Sequence, residues 1–146
     1  MGEDLLSSKP DFKLYKDRAI YVGTFLGGPL TAGYLTAENF KHLRQYDKVK
    51  TTWIVAIIAT VVIFGGIFLI PDIEKVPNYI IPLIYTVIAQ YLVKHFQGKQ
   101  ITDHIKNGGQ IYSVWRAVWI GLVGLAITLA IIFVIILFTN SSFPSS

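Results

Sequence analysis

Three stretches of this chain carry no charged side chain, and each approaches or exceeds the ~20 helical residues needed to cross a ~30 Å hydrocarbon layer. Thr51 to Pro71 is 21 residues long, Val76 to Val93 is 18, and a third run is apolar from Ala117 to Phe138. They read as helices, because they exceed twice the length of an ordinary strand and a lipid-exposed strand leaves its own backbone unsatisfied. A soluble fold would need three helices hydrophobic on every side, and the composition cannot cover them. Only 15% of the 146 residues are charged while 53% are hydrophobic, against about 25% and 45–50% in soluble domains. The chain has no cysteine, which removes disulfides, thiol nucleophiles and thiolate metal sites. The net charge of +4 does not point to nucleic acid, since the basic residues sit in short clusters between apolar runs.

A fourth stretch, 19–37, is also free of charge but far less apolar. It contains FLGGPLTAGYL, with Gly23, Gly27, Gly28, Pro29 and Gly33 among six residues of the Leu, Ile, Val and Phe class. At roughly −0.3 to −0.6 kcal/mol for each such residue it gains about 2 to 4 kcal/mol on insertion, largely offset by glycine, proline and threonine. The runs from Thr51 and Ala117, with twelve and fifteen such residues, gain about 4 to 9 kcal/mol and insert unaided. Packing can rescue the weak segment: Gly23 and Gly27 form a G-x-x-x-G, and Gly28, Ala32 and Thr36 repeat small residues at the same spacing, letting a neighbouring helix approach closely. The expectation is a kinked, protein-facing transmembrane helix in which Pro29 frees the Phe25 carbonyl. A re-entrant hairpin turning at Gly27-Gly28-Pro29 is the rival reading.

The expected fold is therefore all-α, an integral membrane bundle of four helices over about 19–37, 52–71, 77–94 and 116–138. A polar N-terminal tail (1–18) and a short C-terminal tail (139–146) flank this single domain. Charge counts orient it. The linker from Glu38 to Lys50 carries +2 and that from Lys94 to Arg116 carries +3, while the turn Asp72 to Lys75 carries −1 and the C-terminal tail none. Basic loops stay in the cytoplasm, so four spans put both termini outside, and a re-entrant first segment moves only the N-terminal tail. Trp53, Trp115 and Trp119 fall at the expected inner interface as anchors, with Arg116 snorkelling beside them. Short surface helices are expected in both linkers, including one from about Gln100 to Lys106, where basic residues favour anionic lipid head groups.

Chemistry is harder to find. His42, His95 and His104 all lie on the inner side, but no pair has a recognised metal-ligand spacing. No catalytic motif and no cofactor fingerprint is visible, and the charge-free segments hold no ionisable group for ion coupling. On the last helix Ala117, Gly121, Gly124 and Thr128 share one face, which marks it for packing on protein.

FLGGPLTAGYL followed by ENFKHL resembles small uncharacterised bacterial multi-pass membrane proteins that carry a Gly-Gly-Pro-Leu segment near the N-terminus. That resemblance implies the bacterial inner membrane and supplies no catalytic residue. The function expected is a non-enzymatic scaffold or accessory subunit acting through helix packing, with the bilayer and a second copy or another membrane protein as partners. The alternative is an oligomeric pore or small-solute facilitator lined by Gln90 and the proline-containing helices. Reporter fusions at Ser146 and near Gln100 should appear on opposite sides of the membrane, and finding them on one side would remove this topology.

Overall fold

A computed structural model describes residues 9–142, whose regular secondary structure is helical apart from one short strand pairing. Residues 1–8 of the expected N-terminal tail and 143–146 of the C-terminal tail lie outside the described residues. The helices are α1 (Asp17–His42), α2 (Tyr46–Ile67), α3 (Ile80–Lys106) and α4 (Val114–Ser142), with a 3-10 turn at Ile73–Lys75 between α2 and α3. Two-residue strands β1 (Lys13–Leu14) and β2 (Gln110–Ile111) pair in parallel, Lys13 opposite Gln110 and Leu14 opposite Ile111.

The opening stretch is a hairpin. Gly28 has φ 79° and ψ −171°, a backbone region that essentially only glycine occupies. In an unbroken helix Tyr15 and Asn39 would stand about 36 Å apart. Instead the Tyr15 amide donates to Asn39 Oδ1 at 2.7 Å, and no kink closes such a gap. The kinked spanning helix over 19–37 is thus replaced by two antiparallel arms that reverse at Gly28, the rival reading of the sequence. Pro29 opens the second arm, where its missing N–H costs nothing, rather than interrupting a continuous helix. The carbonyl of Phe25 accepts from the Tyr85 hydroxyl at 3.4 Å.

That reversal also brings the N-terminal segment to the end of the molecule where the two linkers lie. Residues 9–16 are docked rather than a free tail: Leu14 and Tyr15 are buried, and the Tyr112 amide donates to the Leu14 carbonyl at 2.9 Å. Both ends of α1, the start of α2, the end of α3 and the start of α4 consequently meet at one end of the molecule, together with both basic linkers. The described N-terminal residues share the linkers' side. The separate surface helices are absent too, since α3 runs unbroken through Gln100 to Lys106 and the first linker shrinks to a turn between His42 and Tyr46. Asn107-Gly108-Gly109 ends α3, with Gly108 at φ 78°.

α2, α3 and α4 each pack on the hairpin and scarcely touch one another. Two of them, α2 and α4, are long and apolar enough to cross a membrane, and within those apolar windows only 6% and 11% of residues are buried. A core helix of a soluble protein would be mostly buried. Here the least apolar segment forms the centre and the most apolar helices form the outside.

Because the chain has no cysteine, single cysteines report sidedness cleanly. Lys16→Cys and Tyr46→Cys should be labelled from one side only, and Asp72→Cys from the other. Labelling of Lys16→Cys and Tyr46→Cys from opposite sides would show that the first segment spans.

Candidate functional site

Two features stand out: the seams around the hairpin, and the polar joint that closes it. The glycines fix the seams. A Cβ on Gly23 would meet Leu35 Cδ1 at 2.7 Å and the Ala117 carbonyl at 3.1 Å, and one on Gly27 would meet the Gly121 carbonyl at 2.6 Å. From the other side, a Cβ on Gly121 would meet the Gly23 carbonyl at 2.8 Å, and one on Gly124 the Gly27 carbonyl at 3.3 Å. The first arm and α4 therefore touch backbone to backbone along Gly23, Gly27, Gly121 and Gly124. Gly33 lets the second arm approach α2, where the Ala56 methyl fills the space of its missing Cβ. Gly28 differs, since nothing lies within 4 Å of its missing Cβ and its task is the positive φ. Pro29 is buried beside it at the start of the second arm.

Side-chain hydrogen bonds close the base of the hairpin. Asn39 is fully buried: it accepts from the Tyr15 amide, and its Nδ2 donates to the Tyr15 carbonyl at 2.9 Å and to Gln97 Oε1 at 3.1 Å. Gln97 Nε2 in turn donates to the Thr36 carbonyl at 2.9 Å. One asparagine thus substitutes for a strand partner at Tyr15, and one glutamine ties α3 to the second arm. These groups satisfy each other away from water, where an unpaired one costs about 1–3 kcal/mol.

An aromatic layer covers this network. Tyr15 and Tyr112 stack with centroids 4.5 Å apart, and Phe12 lies against His104 at 4.9 Å and His42 at 6.2 Å. His104 Nε2 donates to the Gln110 carbonyl at 2.8 Å, while its buried Nδ1 has no partner. Its ring occupies the space that a Cβ on Gly109 would fill. His42 Nε2 lies 3.3 Å from the Tyr112 hydroxyl and 4.0 Å from a Glu38 carboxylate oxygen. His95 lies apart from both, stacked on Tyr91. Among the described residues no group of three His, Asp or Glu side chains could hold a metal ion.

The expected interface anchors divide. Trp115 and Trp119 are 74% and 67% exposed, whereas Trp53 is half as exposed and meets the Tyr34 ring edge-on at 6.4 Å. Arg116 does more than snorkel: its Nε donates to the Tyr15 hydroxyl at 2.9 Å, and its guanidinium lies 4.5 Å over the Tyr112 ring. Burial pushes the Tyr15 hydroxyl above the ordinary tyrosine value, with Arg116 pulling it back less strongly. Tyr15 therefore keeps its proton at neutral pH.

Sequence reasoning missed Tyr15, Asn39 and Gln97, although a signal existed. Leu35 and Asn39, and likewise Val93, Gln97 and Ile101, recur at spacing four and are all buried. A polar residue in register with buried apolar ones on a helix is a candidate for an internal hydrogen bond.

A concavity lies between α2 and α3, a cavity of about 530 Å³ walled by both helices and floored by the second arm. Its lining is almost wholly apolar. Chemically, the joint can hold segments together and the cavity can hold an apolar group. No protein-family model, curated protein or solved structure matches this chain.

Asn39→Ala should lower unfolding stability by about 2–5 kcal/mol, because it strands the Tyr15 backbone groups and Gln97. Gly27→Leu should be at least as damaging, while Gly65→Ala, with nothing within 4 Å of its Cβ, should be neutral or stabilising by up to ~1 kcal/mol. Equal melting of the Gly27→Leu and Gly65→Ala variants in detergent would contradict the assigned seams.

Proposed function

We propose that this protein is a multi-pass integral membrane protein of the bacterial inner membrane. α2, α3 and α4 span the bilayer, the α1 hairpin re-enters it from the cytoplasmic side, and the basic linkers face inward. Its role is that of a non-enzymatic scaffold or accessory subunit that acts through helix packing, with a second copy or another membrane protein as partner. One observation carries the reading: the two most apolar helices are the least buried, 6% and 11% over their apolar windows, while α1, rich in glycine and threonine, is enclosed. Such an inversion is stable where the surrounding solvent is itself apolar.

The spanning role of α3 rests on its apolar half, Ile80 to Val93, which continues into the charged half from Lys94 to Lys106. At ~1.5 Å per residue the apolar half covers about 21 Å, and the long side chains of Lys94 and Lys99 extend it by snorkelling toward the head groups. The concavity beside it is apolar, which suits packing or an apolar guest better than passage of a polar solute.

Two measurements test this reading. The protein should stay in the membrane pellet after alkaline carbonate extraction; release into the supernatant overturns the membrane assignment. Purified into nanodiscs, it should associate at fixed ratio with itself or a membrane protein and leave liposomes ion-tight, and conductance by a homo-oligomer would replace the scaffold with the pore.

A further inference from the structure

The cleft between α2 and α3 has a shape, a depth and a charged end that together describe a ligand. Its floor is Ala32 and Gly33 of the second arm, and its walls include Ala59 and Ala89, so small residues face one another across it. α2 and α3 scarcely touch, which leaves the cleft open sideways toward the surroundings. From Thr52 to Ile63, both on its lining, α2 advances about 16 Å, half of the ~30 Å hydrocarbon layer and hence one leaflet. The volume of about 530 Å³ spread over that depth describes an elongated apolar slot, which accepts an extended hydrocarbon chain.

The end of the cleft near the head groups is basic. Lys48 lines it, with its ammonium 5.4 Å from the Phe40 ring centroid. Among the described residues no carboxylate lies within ion-pair distance of Lys48. A second recess, at the turn from α1 to α2, adjoins it and is lined by Arg44, Asp47 and Lys48, two cations against one carboxylate.

We infer that the α2–α3 cleft binds one anionic phospholipid, an acyl chain lying between Ala59 and Ala89 on the hairpin's second arm and the phosphate held at Lys48 and Arg44. The inference rests on the membrane reading above and adds a specific ligand to it. Binding lets the lipid complete the side of the bundle that protein leaves open. Selectivity comes from the two basic side chains, each worth roughly five-fold toward an anionic head group.

The test uses the full-length protein recovered from the carbonate-resistant membrane fraction, so that failure of the membrane reading is seen before any lipid is added. The protein is delipidated and titrated with phosphatidylglycerol or phosphatidylcholine of identical chains, and bound lipid is counted by native mass spectrometry. One phosphatidylglycerol per chain should be retained at least five-fold more tightly than phosphatidylcholine. Lys48→Gln, at an exposed position, should reduce that preference about five-fold, and Ala89→Trp should abolish retention of both lipids. Should Ala89→Trp fail to fold, a phosphatidylglycerol with a photoreactive chain decides the matter on the wild type, crosslinking to 52–63 and 85–96 and not to α4. Equal retention of the two lipids, an unchanged preference in Lys48→Gln, or crosslinks centred on α4 would overturn the inference.

Discussion

The reversal of α1 depends on Asn39, because its amide replaces what a returning chain would otherwise lack, a hydrogen-bonding partner for the backbone of Tyr15. Two arms of a helical hairpin in a membrane have little hydrophobic reason to stay together. Gly28 allows the turn, yet permission is not a driving force. The Asn39 bonds, extended through Gln97 to Thr36 and covered by Tyr15 and Tyr112, pin the open ends of the arms. With the ends pinned, Gly23 and Gly27 present a flat face to α4, Gly33 faces α2, and α3 lies along the arms through Gln97. Among the described residues, the helix pairs in extensive contact all include this hairpin.

The same arrangement explains why a poor transmembrane sequence sits at the centre. A helix surrounded by protein does not need apolar side chains to satisfy lipid; it needs to be narrow. Glycine and alanine make it narrow, and Thr24 and Thr31 are enclosed with them, their hydroxyls without a hydrogen-bond partner. The cost of Gly in a helix, roughly 1 kcal/mol against Ala, is met where backbone approaches backbone. α2 and α4 then take the opposite composition, since their outward faces meet whatever surrounds the molecule. Residues such as Val61, Phe68 and Phe138, all more than 60% exposed, are misplaced in water and ordinary in lipid.

Much of this was legible in the sequence, and the rest failed for identifiable reasons. Absence of charge over some twenty residues locates α2 and α4 because desolvation of a charge is too costly at membrane depth. Small residues at spacings of three and four pick out Gly23, Gly27, Gly121 and Gly124, since the helical period fixes which side chains share a face. The choice between a kink and a reversal was not legible, because Gly-Gly-Pro serves either and the insertion energy is marginal for both. It is decided by Tyr15 and Asn39, 24 residues apart and each unremarkable alone. Arg116 was likewise read from its depth, although its partner, Tyr15, lies 101 residues earlier in the chain. Contacts of that separation leave no periodic trace.

The two ends of the molecule are built differently, and the difference follows from chain direction. Five chain segments converge at the basic end, so polar and aromatic side chains there find one another and close a joint. At the opposite end the arms have already turned back at Gly28, and α2 passes to α3 through an exposed turn held by the Lys75–Asp72 pair at 3.1 Å. A hairpin core that reverses inside the bundle thus anchors its neighbours firmly on one side only. Between α2 and α3 the consequence is the cleft, because Ala56, Ala59 and Ala89 are too small to bridge the distance that the hairpin's second arm sets between them. Larger residues there would have sealed the bundle. The sequence instead keeps the gap apolar along its depth and basic at its mouth, which are the two properties that an anionic lipid presents in complement.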